Sequence, residues 1–276
     1  MAKNIKDAIK REYIKCIQDP VYFMKKYCLI QHPTRGKLKF ELWDFQEKIV
    51  GEFVSNKYNI ILKSRQLGMS TLTAGYSLWM MLFNSDKNVL CIAKDKDTAK
   101  NLVTKVRVMY TGLPQWLKTK VTEDNKLSLV FDNGSQIKAV AATAEAGRSE
   151  ALSLLILDEA AFIDKIGSIW TAAQQTLATG GSCITLSTPN GVGNWFHKQW
   201  MGAVNGTNDF NFIKLHWTVH PERDTTWRKE QDIILGPTEA AQECLWGNSI
   251  VTVRNKNTNE IKEITLGKLY GEVYNG

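Results

Sequence analysis

The stretch YNIILKSRQLGMST, Tyr58–Thr71, decides the fold. Its β-branched opening, Tyr58 to Leu62, reads as a short strand, the apolar periodicity from Ser70 to Phe83 reads as a helix, and a polar loop joins them. Strand, loop, helix is the order that brings backbone N–H groups and the positive end of a helix dipole onto a phosphate. Gly68 supplies the tight turn, and Ser70 and Thr71 supply a hydroxyl to face a magnesium ion. The strict pattern G-x-x-x-x-G-K-[ST] fails, because Met69 stands where the lysine belongs. The positive charge must therefore come from the front of the loop, where Lys63 and Arg65 can reach back over the phosphates.

Four further segments belong with this loop. LSLLILDEAAFI, Leu152–Ile163, is a buried-strand run closed by two carboxylates. Asp158 would hold the Mg²⁺ shell, while Glu159 would orient or deprotonate the attacking water. ITLSTPNG, Ile184–Gly191, ends a strand with Thr188 and Asn190 where either could sense a γ-phosphate. LWDFQEKIV places Gln46 upstream of the loop, where an amide can read the edge of adenine. AGRSE places Arg148 just before the carboxylate strand, where a guanidinium can act as an arginine finger toward its own or a neighbour's ATP.

Working outward, residues 1–30 read as an amphipathic helix and an aromatic-rich stretch, with a loop at Pro33 and Gly36. A helix follows from Leu42. Strands are expected at 88–93, 127–131, 136–140, 152–157 and 182–187, and helices near 97–110 and 168–178. Alternation of strands and helices implies an α/β fold with a mainly parallel sheet covered on both faces. At 276 residues, 43% of them hydrophobic, the chain can build one sizeable domain plus a short appendage. A net charge of +7 permits a polyanionic partner without demanding one. The five cysteines, Cys16, Cys28, Cys91, Cys183 and Cys244, are far apart and never in a C-x-x-C pair, which suggests neither a disulfide framework nor zinc. The N-terminus lacks the apolar run of a signal peptide, and no segment approaches the roughly 20 apolar residues of a membrane span.

Taken together the motifs resemble the large subunit of tailed-bacteriophage terminases, in the branch whose phosphate loop reads S-R-Q-L-G. Ser64, Arg65, Gln66, Leu67 and Gly68 match that string directly. In that family the lysine may stand at the loop's start, as Lys63 does, so Met69 departs from the general pattern and not from the family's. Asp158-Glu159 matches the Walker B carboxylates, Ser187 to Gly191 the coupling motif and Gln46 the adenine motif. The resemblance implies a P-loop NTPase fold of the ASCE, RecA-like kind over residues 42–243, preceded by lead-in helices in 1–41. It implies that Lys63, Ser64, Arg65, Gln66, Leu67, Gly68, Met69, Ser70 and Thr71 hold ATP, with Ser70 and Asp158 on Mg²⁺. It implies a homo-oligomeric ring on the procapsid, working with a portal protein and a small terminase subunit on double-stranded DNA, in the cytoplasm of an infected bacterium. The family's nuclease domain has no counterpart here, so nuclease activity is not expected of this chain.

The ending, CLWGNSIVTVRNKNTNEIKEITLGKLYGE from Cys244, resembles the first block of an intein: a leading cysteine, Gly247-Asn248-Ser249, then a β-hairpin too small to fold alone. That resemblance implies a split-intein fragment over 244–276, with Cys244 as the thiol that attacks the Glu243–Cys244 amide. A separate polypeptide would supply the C-terminal part. The alternatives are an uninterrupted or truncated terminase with a structural Cys244, another DNA translocase or helicase, and an inactive binding module.

Overall fold

A computed structural model, which describes residues 2–143, 146, 151–244, 250–254 and 258–265, shows how these segments assemble. Helices α1 (Ala2–Gln18) and α2 (Pro20–Tyr27) open the chain. Asp19 caps α2 by accepting the N–H groups of Val21 and Tyr22, and Pro20 takes the first position, where a missing N–H costs nothing. A small antiparallel pair follows, β1 (Leu29–His32) and β2 (Gly36–Lys39), then α3 (Asp44–Ser55). The segment Tyr58–Thr71 forms β3 (Tyr58–Lys63) and the start of α4 (Met69–Phe83). Next come β4 (Asn88–Ala93), α5 (Lys96–Gly112), β5 (Val121–Asn125), β6 (Ser128–Phe131) and β7 (Gln136–Ala141). The chain continues through β8 (Leu154–Asp158), α6 (Ile166–Leu177), β9 (Ser182–Ser187), α7 (Trp195–Val204) and β10 (Phe210–Leu215). Helices α8 (Thr225–Leu235) and α9 (Pro237–Cys244) precede β11 (Ile250–Arg254) and β12 (Ile261–Thr265), which pair antiparallel as the hairpin expected of the ending.

Eight strands form one sheet in the order β10-β3-β9-β8-β4-β7-β6-β5. All neighbours from β10 to β7 run parallel; β6 and β5 extend the far edge antiparallel. Successive side chains alternate between two cores, as the pleat requires. Leu154 and Ile156 of β8 join Val89 and Cys91 of β4 beneath α4 and α5, while Leu155 and Leu157 join Leu90 and Ile92 beneath α6 and α7. Both faces are therefore covered, which is why the strands read as continuous apolar runs rather than alternating ones.

The first forty residues share the α4–α5 core: Cys16, Phe23, Met24 and Cys28 are all fully buried there. The indole of Trp79 on α4 donates to the Cys16 carbonyl at 2.8 Å. A β-carbon at Gly75 would lie 2.5 Å from Met24 Sδ, so a side chain there would displace the buried Met24 between α2 and α4. Burying each of the larger apolar side chains stabilises by about 1.5–3 kcal/mol.

Candidate active site

The loop between β3 and α4 leaves the C-terminal end of β3 and turns through two left-handed residues, Gln66 (φ 56°) and Gly68 (φ 70°). Glycine is favoured at 68 twice over, by that angle and because a β-carbon would meet Gln46 Nε2 at 2.7 Å and displace it. Gly68 is also the N-cap of α4 and brings no side chain to it, so no side chain caps the Met69 and Ser70 N–H groups, while the Thr71 N–H donates to the Gly68 carbonyl. Leu67 and Met69, between these polar positions, are buried core residues. They anchor the loop in the core, leaving only their backbone toward the site. Gln66 is exposed and Thr71 half-buried.

Strand β9 lies between β3 and β8, so the loop and the carboxylates face each other across the end of β9. Ser70 Oγ donates to Asp158 Oδ2 at 2.9 Å, and the Glu159 N–H donates to Asp158 Oδ1 at 3.0 Å. Asp158 is 4% exposed. Burial, and then the neighbouring Glu159 charge, push its carboxyl above the ordinary range, against the pull of Lys63 and the Ser70 hydroxyl. Glu159 adopts φ 51°, a left-handed conformation costing on the order of 1–3 kcal/mol for a residue with a side chain. That angle turns its carboxylate back toward the loop, where Lys63 Nζ sits 2.8 Å from Oε1. Its other oxygen, Oε2, is 3.3 Å from the Thr188 N–H and 3.4 Å from Thr188 Oγ1. Ser187 Oγ accepts the Ala161 N–H, and Asn190 Nδ2 donates to the Ala161 carbonyl. The strand end after β9 is thus tied to the segment just beyond Glu159.

The structure brings Lys63, Ser70, Asp158, Glu159, Thr188 and Asn190 together. Others fall differently. Gln46, expected to read adenine, is buried, and both ends of its amide engage protein: Oε1 accepts the Trp43 N–H at 3.1 Å and Nε2 donates to the Leu67 carbonyl at 3.0 Å. Ser64 is fully buried, and its hydroxyl donates to the Glu243 carbonyl at 2.9 Å. Arg65 is exposed and pairs through Nε with Glu243 Oε2 at 2.7 Å. Arg148 lies outside the described residues, as do Gly247, Asn248 and Ser249. Two residues that motif reading missed also touch the loop. Arg223 donates to the carbonyls of Arg65 and Gln66, and Glu243 meets the loop with both main chain and side chain. With Ser64 and Glu243 179 positions apart in the chain, no local pattern could have announced the contact. Cys244 is buried at the end of α9, and burial raises its thiol above the ordinary value.

A profile of the family described as "Terminase large subunit, T4likevirus-type, N-terminal" matches residues 60–257. The chain belongs to that family. This large terminase chain also shares its fold with solved structures. The Thermus phage P74-26 large terminase ATPase domain superposes with a TM-score of 0.55 at 24% identity, over 69% of this chain and 88% of that one. The HK97 bacteriophage large terminase gives 0.61 at 18% identity, over 82% and 47%. The large terminase from a thermophilic bacteriophage, in complex with ADP, gives 0.61 at 12% identity, over 77% and 55%. The chain spans about half the length of these last two proteins. The family match includes the loop, both carboxylates, Thr188 and Asn190, and begins after Gln46. Among the described residues, no helix is long and apolar enough to cross a membrane.

Proposed function

We propose that this terminase chain is a Mg²⁺-dependent ATPase that drives double-stranded DNA into a procapsid. The observation that carries the reading is the pair of contacts across the end of β9, Lys63 with Glu159 and Ser70 with Asp158. A hydroxyl and a buried carboxylate 2.9 Å apart form the hard-oxygen donor set that suits Mg²⁺, so Ser70 and Asp158 would hold it. Bound there, the ion would neutralise charge between the β- and γ-phosphates. Lys63, drawn from Glu159 toward the triphosphate, supplies the charge that Met69 lacks. Glu159, released from Lys63, takes the role of orienting or deprotonating the attacking water. Thr188, touching Glu159 Oε2, and Asn190, on the Ala161 carbonyl, would register phosphate loss and pass it to the rest of the domain. Arg65 and Arg148 are the finger candidates, and Gln46 would read adenine by exchanging one of its present bonds.

In this reading the chain works in the cytoplasm of the infected host, as part of a ring on the procapsid beside a portal protein and a small terminase subunit. No nuclease activity is proposed for this chain. The ADP bound in the thermophilic phage terminase lends support to the nucleotide site by analogy of fold. The test is ATP turnover of the purified chain with Mg²⁺: a Glu159→Gln variant that binds ATP as the parent does but fails to hydrolyse it supports the assignment, and equal turnover by both overturns it.

A second reading concerns the ending. Cys244 at the close of α9, followed by the paired strands β11 and β12, supports an N-terminal split-intein fragment awaiting a C-terminal intein and extein polypeptide. The family match, continuing past Cys244 to residue 257, favours an uninterrupted terminase. Ligation on mixing with a candidate partner, abolished by Cys244→Ala, decides between them.

A further inference from the structure

We propose that Glu243 is an internal occupant of the phosphate loop, so that triphosphate binding and docking of the last turn of α9 exclude one another. The inference rests on the nucleotide reading of the loop and is independent of the splicing one.

The last turn of α9 presents two acceptors to the loop's front, a main-chain carbonyl and a carboxylate. Its final carbonyls lack helical partners and carry the negative end of the helix dipole. The Glu243 carbonyl accepts from the Ser64 hydroxyl and from the Arg65 N–H, each at 2.9 Å. The Glu243 carboxylate adds a formal charge, 2.7 Å from Arg65 Nε. A phosphate would draw on the same donors, a hydroxyl, a backbone N–H and a guanidinium, which here are divided between the Glu243 carbonyl and the Glu243 carboxylate. The same C-terminal segment grips the loop from its carbonyl side. Arg223, whose guanidinium stacks over the Trp227 ring at 4.3 Å, donates to Arg65 O at 3.0 Å and Gln66 O at 3.4 Å.

Arg65 cannot neutralise Glu243 and a γ-phosphate with the same Nε. A triphosphate carries several negative charges against the single charge of Glu243, so it wins the guanidinium, and the carboxylate is then repelled from the loop it held. Loss of that pair loosens the turn that keeps Cys244 at 2% exposure. Linkage makes the effect reciprocal: whatever undocks α9 tightens nucleotide binding by the same factor.

The experiment uses the full chain, with Mg²⁺ and ATPγS as the probe. Affinity is measured by calorimetry for the parent and Glu243→Gln, and alkylation of Cys244 by iodoacetamide is followed by mass spectrometry. Cys16, Cys28, Cys91 and Cys183, all fully buried, serve as internal references. The expected result is about fivefold tighter ATPγS binding by Glu243→Gln. Cys244 labelling is expected to quicken with nucleotide in the parent and to be already fast without it in the variant. Glu243→Asp, which keeps the charge but shortens the reach, is expected to follow Glu243→Gln. Equal affinities together with labelling indifferent to nucleotide would overturn the proposal while leaving the ATPase reading intact. Absence of any ATPγS binding by the parent would overturn both.

Discussion

Lys63 Nζ and Glu159 Oε1 lie 2.8 Å apart, joining the last residue of β3 to the residue after β8 across the intervening β9. The lysine side chain is almost completely buried, while the carboxylate keeps about a quarter of its surface exposed (7% and 26%). A buried cation whose partner faces the site is poised to change partners when a more highly charged anion arrives.

Lys63→Ala therefore has two expected effects. Asp158 and Glu159 lose their nearby counter-charge, lowering stability by about 1–2 kcal/mol after discounting for the exposure of Glu159. Turnover falls by at least about a hundredfold, because the charge that stands in for the missing loop lysine is gone. Denaturant melts and steady-state hydrolysis check the two separately.

Glu159→Gln preserves size and removes the base. Hydrolysis is expected to drop by about 10²–10⁴-fold with ATP affinity retained or raised, since Lys63 is then freed from its carboxylate partner. Single-turnover assays beside equilibrium binding distinguish this from a binding defect.

Gly68→Ala should weaken nucleotide binding and destabilise the fold by about 1–2 kcal/mol, because a side chain at φ 70° is strained and the added carbon meets Gln46. A melt in the absence of nucleotide isolates the folding part.

Asp158 gives a pH dependence with a defined sign. Its folded carboxyl titrates above the ordinary value of 3.8, chiefly through burial, so the folded chain holds that proton more tightly than the unfolded one. This group's contribution to stability is most favourable below 3.8 and is lost as pH rises through the raised folded value. Mg²⁺ requires the carboxylate, so affinity for Mg²⁺ with ATP should fall as pH drops through the same window. Asp158→Asn is expected to raise the melting temperature of the nucleotide-free chain at neutral pH and to abolish Mg²⁺-dependent turnover. Melting curves against pH for parent and variant check the slope.

Gln46→Ala removes a brace as well as a candidate base reader. Leaving the Trp43 N–H and the Leu67 carbonyl without their partner costs about 1–3 kcal/mol. If bracing is the larger role, affinities for ATP and GTP fall together; selective loss of ATP binding would assign the amide to adenine.

Sequence alone marked the central strands β3, β4, β6, β7, β8 and β9 and the polar residues at their ends, whereas β1, β2 and β5 went unmarked. Strands β4 and β9 fall at the residues that their apolar runs mark, and Asp158 closes β8 as the change from LLIL to Asp-Glu requires. Local pattern suffices there because a strand buried on both faces must be apolar throughout, and a polar residue at its end must face the site. The edge strand β10 was not legible: with Phe212 48% exposed and Lys214 between apolar neighbours, FNFIKL has the alternation of a half-solvated segment, and only pairing with β3 completes it. Only the tertiary structure decided that Gln46 grips the loop, that Lys63 rests on Glu159, and that Glu243 closes over Ser64 and Arg65. Such contacts join residues far apart in the chain, and their geometry follows from the packing of whole elements, which no short-range periodicity encodes.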